Sequence, residues 1–151
     1  MGINESVFAL MESDVTHPFR ATPKSAGADV CAYVDDDPDT TGRFVTIEPH
    51  RTHLVRSAIR LKEPLPHGYY LQMSLRSSWR KKGLTSNGVG IIDGDYKDEI
   101  FHLVCNTTEA PIHIEHGDRL SQLIVLQHRT DLLGCPVKEQ ERIGGFGSTG
   151  K

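Results

Sequence analysis

The chain is poor in the features that would assign it quickly to many protein classes. Its three cysteines, Cys31, Cys105 and Cys135, are odd in number, far apart and without a C-x-x-C pair. That pattern excludes a disulfide framework and a thiolate zinc site, and the thiols are expected to be reduced and buried. Aromatic residues make up only 7% of the sequence. No apolar run approaches the roughly 18 residues of a membrane span, and no basic segment precedes one, so neither a membrane partner nor a secretory leader is expected. The protein reads as soluble, intracellular and cytoplasmic. Neither sign of charge dominates, with 17 Lys and Arg against 20 Asp and Glu mixed along the chain. Direct nucleic-acid binding is therefore not expected, and any phosphate must be met by a local cluster.

A helical period is also missing, because nowhere do apolar residues recur at i, i+3, i+4 over a dozen positions. What is present is a series of short alternating runs separated by Gly, Pro and Asp turns, within 151 residues and with no repeat or linker to divide them. This composition predicts a single all-β domain, a sandwich or barrel. Strands are expected near Val7 to Leu10, from Val30, over 43–49 as an edge strand, over 52–61 as one strand, and over 68–75. Two long, mostly buried strands are expected at 99–106 and 119–128, joined through 112–115 and a turn at Gly117-Asp118. The segment Arg76 to Gly83 carries the one plausible helical turn, capped by Ser77 or Ser78, and is the most basic patch in the chain.

Two alternatives are set aside on spacing. The run Asp35, Asp36, Asp37, Asp39 lacks the Gly and Glu that an EF-hand loop requires, so it reads as a solvated loop. The pairs His50/His53 and His113/His116 are three residues apart, which in extended chain puts their rings on opposite faces. At the end of the chain, Gly145 to Lys151 fits G-x-x-x-x-G-K, but no Ser or Thr and no helix follow it.

The stretch GVGIIDGDYKDEI, residues 88–100, concentrates chemistry. It reads as a hairpin whose polar turn, Asp93-Gly94-Asp95, sets a carboxylate able to orient water beside the ring of Tyr96. AGADV (26–30), RSSW (76–79), this stretch, GDRLSQLI (117–124) and RIGGFGSTG (142–150) occur in that order, and together they resemble the trimeric dUTPase family along most of the chain. The resemblance implies a distorted jelly roll or β-barrel with one short helix. Residues 1–151 then form one domain, and 142–151 a glycine-rich arm that closes over the site.

The implied activity is Mg2+-dependent hydrolysis of dUTP to dUMP and pyrophosphate, by water attack on the α-phosphorus. Asp93 matches the water-activating acid, Tyr96 the ring beneath the deoxyribose, and Asp29 the acid that holds hydrated Mg2+. Asn87 and the hairpin backbone at Gly90 and Ile92 match the wall that reads uracil. Arg76, Ser77, Ser78 and Gln122 match phosphate contacts. In the arm, Arg142, Ser148 and Thr149 match a γ-phosphate clamp, with Phe146 and Gly147 closing over the base. The resemblance also implies a homotrimer whose sites draw on three chains. The spacing from Arg142 to Phe146 is one residue shorter than the family's usual arm, Leu75 stands where Pro is common, and Asp98 stands where Gly is common. A dCTP deaminase-like enzyme would need a glutamate where this chain has Leu103. A nucleotide-gated binding protein would keep the pocket while acting on a partner.

Overall fold

The computed structural model describes residues 5–86 and 88–138. The expected all-β class is what forms. In chain order the strands are β1 (Phe8–Leu10), β2 (Ala28–Cys31), β3 (Phe44–Ile47), β4 (Thr52–Val55), β5 (Ile59–Leu61) and β6 (Tyr69–Leu75). A short helix, α1 (Ser77–Lys81), precedes β7 (Leu84–Thr85), β8 (Gly90–Ile92), β9 (His102–Asn106), β10 (Ile112–Glu115) and β11 (Arg119–Gln127). A 3-10 turn at Thr130–Leu133, which nothing in the sequence pattern announced, follows β11.

Among the described residues the strands pair antiparallel in four small sheets, ordered β2-β11-β6-β8, β4-β9-β7, β1-β5 and β10-β3. Alternation explains why. In β6 the residues Leu71, Met73 and Leu75 are buried while Gln72 and Ser74 are half-buried, so one face of the pleat packs inward. Two apolar clusters fill the interior. One gathers Val30, Ile59, Leu71, Met73, Tyr96 and Ile100, and the other Ile47, Val55, Trp79, Val104, Ile114 and Leu120. Each fully buried Ile or Leu stabilises the fold by about 1.5–3 kcal/mol relative to exposure.

Several expectations need correction. The stretch 52–61 is two strands in two sheets, broken at Arg56-Ser57-Ala58, where Ala58 takes a left-handed φ of 54°. An unbroken strand cannot serve both sheets, and the break lets β5 turn away to pair with β1. The 88–100 stretch is not a two-stranded hairpin: β8 pairs with β6, whereas β9 pairs with β4 and β7. Its turn therefore bridges two sheets. At α1 the cap is Arg76 with no side-chain hydrogen bond, so Ser77 and Ser78 lie inside the first turn, past the capping position. Cys31 is buried, Cys105 is half-buried and Cys135 is exposed, so burial of all three thiols is not observed. Burial pushes the Cys31 thiol pKa up, which keeps it in the inert, protonated form.

His102 links two sheets from inside the core. Its Nδ1 lies 2.8 Å from the Ser121 hydroxyl and its Nε2 lies 3.2 Å from the Cys31 carbonyl. A carbonyl only accepts, so Nε2 carries the proton and Nδ1 accepts from Ser121, which satisfies a neutral ring at both nitrogens. Burial lowers its pKa from 6.5 to about 4. The unfolded chain therefore takes up this proton first, and the stability that His102 allows is full above pH 6.5 and lost as pH falls towards 4. The loss amounts to about 3 kcal/mol once both forms are protonated. Denaturant melts across that pH window should show the decline in wild type and a flatter profile in His102→Gln; parallel profiles would overturn this account.

Candidate active site

The four-stranded sheet assembles one group of polar side chains. Asp29, in β2, is 7% exposed, yet each of its carboxylate oxygens has a cation. Arg76 Nε lies 3.3 Å from Oδ1, and Arg119 Nη1 lies 3.3 Å from Oδ2. Gln122 of β11 stands directly opposite Asp29, and opposite Ser74 on β6. Residues 119 and 122 are an odd number apart and would face opposite ways in a regular strand. A bulge between Arg119 and Ser121 changes that. Arg119 now opposes Cys31 and Gln122 opposes Asp29, so both share the face of Asp29.

The main chain braces this arrangement. The Leu120 carbonyl accepts the Arg76 N–H at 3.0 Å, and the Arg119 carbonyl accepts the Trp79 ring N–H at 2.9 Å. Gly27 permits the close approach of β2 and β11: a Cβ there would stand 3.0 Å from the Leu123 carbonyl and 3.3 Å from Gln122 Oε1. Ser77 and Ser78 are exposed at the start of α1 beside Arg76. The result is a cationic face, with carboxamide and hydroxyl donors, suited to anions. Asp29 is deeper than a strand-entry position suggests, and Arg119, which the sequence reading did not single out, is its second partner. A charged residue opening the apolar run RLSQLIVL was the available signal.

The second group lies at the end of β8. Asp93 is exposed at the head of a turn in which the Asp93 carbonyl accepts the Tyr96 N–H at 3.1 Å. The turn is anchored to the loop before β6, where the Leu65 N–H donates to the Gly94 carbonyl at 2.8 Å. Gly90 opens β8 at the surface opposite Met73, while the Ile92 side chain is buried, leaving its backbone as the part able to face a ligand. Tyr96 is more enclosed than expected. It is 6% exposed within the core, and its hydroxyl donates to the Glu99 carbonyl at 2.9 Å. Burial, and then the carboxylates of Asp98 and Glu99, push its pKa up to about 12, so it remains a neutral donor. A cavity of about 770 Å3 borders this turn, lined by Leu65, His67, Tyr69, Ile91, Asp93 and His128 among others.

The two groups are not brought together within the chain. The register pairs Ile92 with Leu71, so Asp93 lies beyond the Leu71 end of β6 while Arg76 follows its other end. Leu71 and Arg76 are five strand rises apart, roughly 17 Å at the usual spacing. Asn87, Arg142, Phe146, Gly147, Ser148 and Thr149 lie outside the described residues.

The dUTPase family model matches residues 13–150. The chain belongs to the dUTPase family. It is 35% identical over 149 residues to the deoxyuridine 5'-triphosphate nucleotidohydrolase of Hydrogenobaculum sp., a match covering 93% of this chain and 94% of that protein. The enzyme of the same name from Desulfotalea psychrophila is 36% identical over 138 residues, covering 88% and 86%. The crystal structure of the Streptococcus mutans dUTPase superposes with a TM-score of 0.64 at 28% identity, covering 81% of this chain and 95% of that one. Among the described residues, no helix is long and apolar enough to cross a membrane.

Gly94 provides a direct test of how the turn of this dUTPase-family chain is held. A Cβ there would stand 2.6 Å from the Tyr69 carbonyl oxygen and 3.4 Å from the Leu65 side chain. Backbone cannot yield as a side-chain tip can, so Gly94→Ala should cost about 1–3 kcal/mol of stability by overpacking. Equilibrium unfolding in urea measures this; an unchanged midpoint would show that the turn is free to shift.

Proposed function

We propose that this chain is a dUTP nucleotidohydrolase that cleaves dUTP to dUMP and pyrophosphate. The observation that carries this reading is the face on which Arg76, Arg119 and Gln122 surround Asp29, in a chain of the dUTPase family. Phosphoryl transfer asks mainly for positioning and charge neutralisation, and this face supplies both. Arg76, with Ser77 and Ser78 beside it, and Gln122 hold the phosphates. Asp93 accepts a hydrogen bond from water and aims it in line at the α-phosphorus. Its place at the head of an anchored turn supports that role.

Tyr96 lies flat beneath the deoxyribose, where its enclosed ring leaves no space for a 2'-hydroxyl, and Asn87 with the Gly90 and Ile92 backbone reads the edge of uracil. The arm, 142–151, brings Arg142, Ser148 and Thr149 to the γ-phosphate and closes Phe146 and Gly147 over the base. The separation of Asp93 from Arg76 along β6 supports a homotrimer in which one chain supplies the turn, a second the phosphate face and the third the arm.

Mg2+ fits this site in one way only. Asp29 is a single carboxylate already faced by two guanidiniums, so its donor set suits a hydrated ion carried on the triphosphate rather than a protein-held metal. Bound there, Mg2+ would neutralise charge on the phosphate oxygens.

Pyrophosphate release from dUTP, dCTP, dTTP and UTP in parallel, with ammonia followed for dCTP, tests the activity. Release from dUTP alone is expected; ammonia from dCTP or silence from all four would overturn it. Asp93→Asn should retain nucleotide binding while turnover falls by about 10²-fold or more, the usual scale for a lost general base. Near wild-type turnover in that variant would remove Asp93 from the chemistry. Deleting 142–151 should leave the melting profile in place and cripple turnover, and normal hydrolysis by the truncated chain would refute the arm's role.

A further inference from the structure

Glu99 belongs to neither group above, yet its carboxylate is buried between the Asp93 turn and the break that separates β4 from β5. Its Oε1 accepts the Ala58 N–H at 2.7 Å, and its two oxygens accept from Arg56 Nε at 3.1 and 3.2 Å. Arg56 continues outward, donating through Nη1 to Asp35 at 2.6 Å and through Nη2 to Glu12 at 3.2 Å. Its guanidinium also lies 4.8 Å from the centre of the Tyr33 ring. Burial by itself would lower the Arg56 pKa, but Glu99, Glu12 and Asp35 outweigh it and hold the group above the ordinary arginine value. The charged partner of Glu99 is thus fixed in place and permanently protonated.

The main chain of Glu99 is the other half of the device. Its carbonyl accepts the Tyr96 hydroxyl at 2.9 Å, and the Tyr96 N–H donates to the Asp93 carbonyl at 3.1 Å. Next along the chain, the Ile100 N–H donates to the Ile59 carbonyl at 2.9 Å, and the Ile100 carbonyl accepts the Ser57 hydroxyl. Residues 99 and 100 are therefore pinned to the 56–59 segment through both side chain and backbone. A tyrosine hydroxyl buried this deeply needs its acceptor in a set place, so the direction of the Glu99 carbonyl sets the tilt of the Tyr96 ring. The positive φ of Ala58, unusual for a residue with a Cβ, persists because the Glu99 carboxylate holds its N–H.

We infer that Glu99 is a positioning residue of the reaction: clamped by Arg56 and Ala58, it orients the carbonyl that holds Tyr96, and thereby sets the discrimination between deoxyribose and ribose. This inference rests on the dUTP-hydrolysing reading of the site. Its test is kcat and KM for dUTP and for UTP in wild type, Glu99→Ala, Glu99→Gln and Arg56→Lys. The ratio of kcat/KM for the two substrates, measured on one sample, does not depend on how much of the protein is folded. Loss of structure alone lowers both values equally and leaves the ratio unmoved.

In Glu99→Ala the ratio should fall about tenfold, the scale expected when a contact group is displaced by a fraction of an ångström. Glu99→Gln should fall less, because its amide oxygen still accepts the Ala58 N–H, and Arg56→Lys should lie between. If Glu99→Ala does not fold, the other two variants decide. A wild-type ratio in every soluble variant overturns the inference, whereas a wild-type protein inert towards both substrates overturns the reading beneath it.

Discussion

A buried carboxylate answered by two guanidiniums is the constraint around which the four-stranded sheet is arranged. Asp29 is 7% exposed, a position where an unpaired charge would cost several kcal/mol. Its tolerance there depends on Arg76 and Arg119 arriving from two other positions in the sheet, one just past the end of β6 and one at the start of β11. The bulge in β11 makes that possible, since it turns Arg119 and Gln122 to the same side. The same pairing that makes the buried acid tolerable also concentrates two cations on one face. The arrangement that satisfies the buried acid is the same one that makes the face suited to anions.

The turn at 93–96 follows a different logic, in which the backbone is tied to its neighbours on several sides. Gly94 nests against the Tyr69 carbonyl, Leu65 bonds the Gly94 carbonyl, and Tyr96 is locked at its amide and its hydroxyl. Asp93 can stand in solvent because its neighbours are held in place. A carboxylate on a loosely held loop would sample many directions, and preorganisation of this kind is what the proposed water-aiming role of Asp93 requires. The 56–59 break contributes to the same end by supplying Arg56, Ser57 and Ala58 to the Glu99 segment.

These two assemblies occupy opposite ends of β6, so neither meets the other within the sheet. That separation gives physical meaning to the proposed three-chain site, in which Asp93 and the Arg76–Arg119 face would be brought together by association rather than by folding. It also places the demand for precision on each half separately.

Alternation in GYYLQMSL and the apolar run in RLSQLIVLQ marked β6 and β11, and the lack of a helical period excluded an α-rich fold; all are local properties of the chain. Asp29, Arg76, Asp93 and Tyr96 were legible as candidates because turn chemistry and residue type are written locally, and Gln122 was reached only through the resemblance to the dUTPase family. The division of 52–61 into two sheets, the pairing of β8 with β6, the depth of Asp29 and the part played by Arg119 and Glu99 were not. Each depends on which strand lies alongside which, and no local pattern encodes the partner across a gap of dozens of residues. The sequence by itself thus determined the class of fold and the chemical inventory. Only the tertiary structure decided which of those groups share a face, because facing is set by register, and one bulged residue is enough to reverse it.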